Sequence, residues 1–98
     1  MITKLEKEFT DKDGFLCEQV KETPGGYVYK ETSPKGSSQF ITFQKFFLHE
    51  LDKDGNKTEQ LREEYPNIRD FGFWAWAYPT KGKAKNKLNE IKAIKKRN

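Results

Sequence analysis

Cysteine, histidine and long apolar runs are scarce in this chain of 98 residues, which contains one cysteine (Cys17) and one histidine (His49). A single cysteine cannot form a disulfide within the chain, which excludes the cross-linked frameworks of small secreted domains. No stretch approaches the roughly 18 apolar residues of a membrane-spanning helix, and the first seven residues are too charged for a signal sequence. We therefore expect a cytoplasmic protein with no membrane partner, and the cytoplasm can be that of a bacterial host cell.

Patterns for metal binding and catalysis are incomplete. Residues 52–63 place acidic or amide side chains at the first, third, fifth and twelfth positions of a calcium loop, but Lys57 stands where that loop needs glycine. Cys17 and His49 could pair as a nucleophile and a base, yet nothing in the sequence brings them together. Asp70-Phe71-Gly72 matches the kinase magnesium tripeptide without the other kinase motifs. The sequence predicts no enzyme, no cofactor and no metal site.

Apolar residues are only 34% of the chain, but aromatic residues reach 14%, with eight Phe, four Tyr and two Trp. Because each aromatic side chain can bury about 150–250 Å², a few of them can supply most of a core. The length suits a single domain over residues 1–98. Residues 1–14 are polar and are either a flexible arm or part of the sheet, and residues 96–98 form a basic tail.

Strand patterns dominate the first 78 residues. Phe15–Lys21 and Tyr27–Thr32 flank a Pro-Gly-Gly break and predict a β-hairpin. Residues 39–51 predict a central strand with apolar side chains on both faces, or a strand with a bulge near Lys45. Residues 57–70 predict an irregular segment or a short edge strand. Residues 73–78 predict a strand with alanines on one face, where a helix can pack closely.

The last element is predicted to be a helix over residues 81–95. Thr80 is a suitable N-cap, and Ala84, Leu88, Ile91 and Ile94 recur at helical spacing. The sequence therefore predicts an α+β fold, with a small antiparallel sheet of three to five strands packed by one C-terminal amphipathic helix.

Charge is divided unevenly along the chain. Residues 81–98 contain eight basic residues and one acidic residue, whereas residues 1–80 contain eleven basic and fourteen acidic residues. Basic side chains along the helix can contact phosphates without reading bases, or can be an ordinary solvated face. Trp74, Trp76 and Tyr78 are predicted to share one face of the strand of residues 73–78, where they are either core residues or a surface that contacts a partner. The candidate partner-binding residues are Lys81, Lys85, Lys92, Lys96, Arg97, Trp74, Trp76 and Tyr78.

Two stretches carry a resemblance to a known group. Residues 65–78 read Tyr-Pro-Asn-Ile-Arg-Asp-Phe-Gly-Phe-Trp-Ala-Trp-Ala-Tyr, and a helix containing Ala84 and Leu88 follows. This pattern resembles small accessory proteins of phages and other mobile elements of low-GC bacteria, which also have a strand where residues 39–47 lie here. Because genes in that genomic setting often encode inhibitors of host defence, the resemblance implies such an inhibitor, for example an anti-CRISPR protein. The expected partner is then a host protein or ribonucleoprotein complex, and the alternative is nucleic acid bound by the basic helix.

Overall fold

Two β-sheets and one helix make up the computed structural model, which describes residues 2–91 and confirms the predicted α+β class. The described elements in chain order are β1 (Ile2–Thr3), β2 (Glu8–Thr10), β3 (Leu16–Glu22), β4 (Gly26–Thr32), β5 (Ser38–Gln44), β6 (Phe47–Leu51), β7 (Lys57–Glu63), a 3₁₀ turn (Ile68–Asp70), β8 (Ala75–Tyr78) and α1 (Lys81–Glu90).

The larger sheet has five antiparallel strands in the order β2-β3-β4-β5-β8. Its β3–β4 hairpin turns at Thr23–Gly26, which confirms the hairpin predicted at the Pro-Gly-Gly break. Glycine is required at position 26 because any Cβ there would overlap the backbone carbonyl oxygen of Phe43 on β5. The N-terminal residues also pair, since β2 forms one edge of this sheet.

The smaller sheet has three strands in the order β1-β7-β6, with β1 parallel and β6 antiparallel to β7. The prediction of an irregular segment or short edge strand over residues 57–70 was wrong for residues 57–63, because β7 spans seven residues and lies in the middle of this sheet. Residues 64–70 contain no strand and only the 3₁₀ turn. The polar residues of β7 have weak strand preference, and hydrogen-bonded pairing with a strand on each side stabilises the strand instead.

Residues 39–51 form two strands that belong to different sheets, so the prediction of one continuous strand was wrong, although β5 does lie centrally between β4 and β8. The chain leaves the larger sheet after Gln44 and enters the smaller one at Phe47. Lys45 and Phe46 lie between the strands, where their backbone groups bond to Gly25 and Glu64. The change of apolar parity near Lys45 therefore marks a transfer between sheets.

Asp-Lys-Asp-Gly forms the same tight turn twice, at residues 11–14 and 52–55. In the second turn Asp52 Oδ1 accepts the N–H groups of Asp54 and Asn56, each at 2.9 Å. Gly55 has a φ of 83°, which a residue with a Cβ rarely adopts. The segment with partial calcium-loop spacing is therefore a β-hairpin turn between β6 and β7.

Helix α1 packs on the face of the larger sheet that carries Val28, Thr42 and Tyr78. Ala84 and Leu88 are fully buried there, and the Thr42 hydroxyl donates to the Ala84 carbonyl at 2.8 Å. The expected packing of this helix against the alanine face of β8 was wrong. The described helix ends at Glu90 with Ile91 as an extended C-cap, so the predicted helix was too long at residue 91, and residues 92–95 lie outside the described residues.

An aromatic core fills the opposite face of the larger sheet. Tyr27, Tyr29 and Phe43 are at most 1% exposed, and the ring of Tyr65 lies 5.1 Å from Phe43 and 5.3 Å from Tyr29. Ala75 faces this core, so its small side chain leaves room for rings rather than for a helix. The aromatic-rich composition is therefore used mainly for packing.

A polar network joins the two sheets at the edge of this core. Glu63 on β7 accepts the Tyr27 hydroxyl at 2.5 Å and the Leu5 backbone N–H at 2.9 Å. Lys45 Nζ lies 3.9 Å from Glu63 and 2.7 Å from Glu22 on β3. Burial and the hydrogen bond to Glu63 raise the pKa of Tyr27, so its hydroxyl remains a donor at neutral pH. The network fixes the smaller sheet against the larger one.

Candidate functional site

The three predicted aromatic residues of the β8 region do not share a face. Trp74 precedes the strand and stacks on Phe46, with ring centroids 4.9 Å apart, beside the aromatic core. Trp76 and Tyr78 lie on the helix side instead, where Tyr78 packs against the Val28, Ala84 and Leu88 cluster. All three side chains are half-buried, so they do not form the single exposed platform expected from alternation.

The predicted basic residues divide between described and undescribed parts of the chain. Lys81 is exposed and Lys85 is half-buried on α1, whereas Lys92, Lys96 and Arg97 lie outside the described residues. Lys81 sits in the first turn of the helix, where the positive end of the helix dipole disfavours a cation. Lys87, a residue not among the predicted set, lies 4.2 Å above the Trp76 ring and 3.7 Å from Glu90.

Residues 67–74 form a hydrogen-bonded loop within the stretch that carries the resemblance, and only Trp74 among them was a predicted partner-binding residue. The side chain of Asn67 accepts the Arg69 N–H at 3.0 Å, and Asp70 accepts the Asn67 N–H at 2.8 Å. The Asp70 carbonyl accepts the N–H groups of Phe73 and Trp74. These bonds fix a loop on which Ile68 is 89% exposed and Phe73 is 79% exposed. Among the described residues, these are the two most exposed large apolar side chains, so neither contributes to the core.

A groove of about 680 Å³ lies beside this loop, on the aromatic-core side of the larger sheet. Its apolar lining comes from the segment of residues 65–71, from the β2–β3 turn and from the edge strand β8. The apolar lining residues are Phe15, Tyr65, Pro66, Ile68, Phe71 and Ala77. Three carboxylates (Asp11, Asp13 and Glu31) and one lysine (Lys12) also line it. The groove is therefore apolar along its floor and predominantly acidic in charge.

Asp11 and Glu31 meet at the buried thiol of Cys17. One ligand-type atom from each of these three residues lies within 4.8 Å of the others. The Tyr65 hydroxyl donates to Glu31 Oε2 at 2.7 Å, and the Cys17 thiol points to the Phe15 carbonyl at 3.7 Å. Burial and the charge of Glu31 raise the pKa of Cys17 to about 11, so this thiol is protonated at neutral pH. These hydrogen bonds of Glu31 and Cys17 thus go to Tyr65 and Phe15, outside the cluster.

The Cys17–His49 pair weighed from sequence is not brought together. Cys17 is fully buried on β3 of the larger sheet. His49 lies exposed on β6 of the smaller sheet, with its Nδ1 2.8 Å from the Thr58 carbonyl oxygen. A buried thiol with a raised pKa is a poor nucleophile, because the thiolate is the reactive form.

The sequence contained one usable signal for the loop and groove. Asn67 and Asp70 stand at the spacing of a capping box, in which each side chain accepts the other residue's backbone N–H. Ile68 lies inside this box and Phe73 follows it by three residues, and an apolar side chain in a polar turn is a candidate contact residue. The acidic lining could not be found in this way, because Asp11 and Glu31 come from distant positions.

Comparison of the chain with protein-family models, with curated proteins and with solved structures finds no match. No helix among residues 2–91 combines the length and apolarity needed to cross a bilayer.

Proposed function

We propose that this protein acts without catalysis, by binding another protein and blocking its function in the cytoplasm of a bacterial host. The observation that carries the proposal is the loop of residues 67–74, which holds Ile68 and Phe73 in solvent on a hydrogen-bonded frame. Exposed apolar side chains on a rigid element are the usual anchors of protein interfaces, because little conformational entropy is lost when they are buried. Stoichiometric inhibition requires only such a surface.

The kind of partner is proposed from the resemblance to phage accessory proteins. Proteins in that genomic setting often inhibit host defence, so the favoured partner is a host protein or ribonucleoprotein complex, including a CRISPR effector. Trp74 and Phe46 support this surface, because their stacked rings lie next to the loop and Phe46 is 42% exposed.

Capture from a nuclease-treated lysate of a low-GC bacterium tests the proposal. The tagged parent protein should retain a specific host protein, and the double substitution Ile68→Ser and Phe73→Ser should reduce its recovery at least tenfold. Leu51→Ser is the matched control, because Leu51 is 62% exposed on β6 of the other sheet. All three positions are surface sites, so each variant should remain folded. Equal recovery by the double variant would refute the proposal.

Nucleic-acid binding by α1 is the second candidate function. Lys81 and Lys83 are exposed in the first turn, and an exposed pair of cations beside a helix N-terminus attracts phosphates. The double substitution Lys81→Gln and Lys83→Gln should then lower DNA and RNA binding equally for every sequence, and should reduce the logarithmic salt slope by about two. Lys35→Gln with Lys53→Gln, on two hairpin turns, controls for net charge. Unchanged binding by the helix variant would exclude this function.

A further inference from the structure

Lys12 is the one basic residue among the described residues that line the acidic groove, against three carboxylates. Among residues 2–91, no basic side chain forms an ion pair with Asp11, Asp13 or Glu31. Asp11 and Glu31 nevertheless hold carboxylate oxygens within 4.8 Å of each other. Like charges held this close repel, and a cation placed between them relieves the repulsion. The groove is thus complementary in charge to a basic group.

The apolar floor determines what can carry that basic group. Tyr65, Ile68 and Phe71 give the groove walls that a small hydrated cation would not use. An aliphatic or aromatic side chain next to the basic residue would bury apolar area against them. A volume of about 680 Å³ accommodates several side chains and not only one. The lining therefore fits a peptide in which basic and apolar residues are close in sequence.

The edge of the larger sheet indicates an extended peptide. The Gln44 N–H donates to the Trp74 carbonyl across the β5–β8 pair. Because hydrogen-bonded residues alternate along an antiparallel pair, the N–H and C=O of Trp76 also point toward β5. Those of Ala77 therefore point away from β5, toward the open edge of the sheet. Phe71 forms a single β-bridge with Ala75 on the open edge of β8. At Ala77, no described strand pairs with that edge. Ala77 also lines the groove. A peptide strand added here would gain backbone hydrogen bonds while its side chains enter the groove.

We propose that the groove between the 67–74 loop and the β2–β3 turn binds an extended peptide segment of the partner protein, with lysine or arginine directed at Asp11, Asp13 and Glu31 and with apolar residues beside it. This inference rests on the proposed function and assigns the partner's contact chemistry. Ile68 belongs to both the loop and the groove, so a single partner segment can contact the exposed loop and enter the acidic end.

Selection from a random octapeptide library tests this inference without knowledge of the natural partner. Peptides selected on the parent protein should be enriched in lysine and arginine interspersed with apolar residues. Their affinity should fall at least fivefold for the double substitution Asp13→Asn and Glu31→Gln, which keeps shape and removes two charges. Glu8→Gln with Glu59→Gln, at exposed positions on β2 and β7, is the matched charge control. Ala77→Pro, which removes the outward N–H at an edge position, should weaken the same peptides independently of charge.

Three results would overturn the inference: selection without basic enrichment, equal affinity for the Asp13 and Glu31 variant, or tight zinc binding that requires Cys17 and excludes the peptides. The last result would make the Asp11, Cys17 and Glu31 cluster a metal site instead. Lysate capture separates this failure from that of the proposed function. Capture that needs Ile68 and Phe73 but not Asp13 and Glu31 leaves protein binding intact and rejects only the basic peptide.

Discussion

Replacing Glu22 with glutamine removes the charge that two lysines share where the sheets meet. Glu22 Oε2 lies 2.6 Å from Lys4 Nζ and 2.7 Å from Lys45 Nζ, and the Lys45 side chain is only 13% exposed. Glutamine has nearly the same shape as glutamate, so the substitution tests charge rather than packing. In the variant Lys45 keeps Glu63, at 3.9 Å, as its carboxylate neighbour within the described residues.

The magnitude follows from the pKa of Glu22. Burial opposes its ionisation, but hydrogen bonds from Lys4 and Lys45 outweigh burial and lower its pKa from about 4.5 to about 2. At about 1.4 kcal/mol for each unit of pKa, this difference is at most roughly 3.5 kcal/mol. Lys4 is 58% exposed and solvent screens its share, so we expect about 2 kcal/mol. Because the pKa is lower in the folded protein, this stabilisation is complete above about pH 4.5 and is lost as the pH falls toward 2.

Urea denaturation at several pH values, followed by tryptophan fluorescence, measures the effect. At pH 7 Glu22→Gln should lower the free energy of unfolding by about 2 kcal/mol, and the gap from the parent should close between pH 4.5 and pH 2. Glu59→Gln, at an exposed position on β7 without an ion pair among the described residues, should show almost no gap. A gap for Glu22→Gln that stays constant down to pH 2 would show that its charge does not hold the junction together.

Four further substitutions test the packing. Gly26→Ala should cost about 2–3 kcal/mol, because its Cβ would overlap the Phe43 carbonyl oxygen and lie 3.2 Å from Leu88 Cδ1; a cost below about 0.5 kcal/mol in urea denaturation would contradict this. Leu88→Ala should cost about 2–4 kcal/mol, whereas half-buried Ile91→Ala should cost about 1 kcal/mol, and the reverse order would mean that α1 docks differently. Gly82→Ala should increase the free energy of unfolding by about 0.5 kcal/mol and so raise the melting temperature, because an added Cβ meets no atom within 4 Å. A lower melting temperature would indicate that the helix begins elsewhere.

Local patterns predicted the elements whose signals are contained in a few neighbouring residues. The Pro-Gly-Gly hairpin, both Asp-Lys-Asp-Gly turns and the buried stripe of Ala84 and Leu88 depend on local turn chemistry and helical spacing. Such features depend on residues that are close in sequence, so they can be predicted from the sequence alone.

Predictions that required distant contacts failed. Strand β7 is polar and owes its place to pairing with both β1 and β6, and the transfer between sheets at Lys45 needs Glu22 and Glu63 from elsewhere in the chain. Alternation in residues 73–78 correctly placed Trp76 with Tyr78, but it could not show that β8 begins at Ala75 and leaves Trp74 on the other side. For the same reason the acidic groove was not predicted, because its carboxylates lie on separate elements.

Amide hydrogen exchange of the protein, free and bound to its captured partner, tests most directly the claim that the 67–74 loop and its groove form the binding surface. The account predicts slower exchange on binding in residues 67–78 and in the β2–β3 turn at residues 11–15, with little change in β6 and α1. Protection confined to α1, or to the smaller sheet around Leu51, would contradict the account.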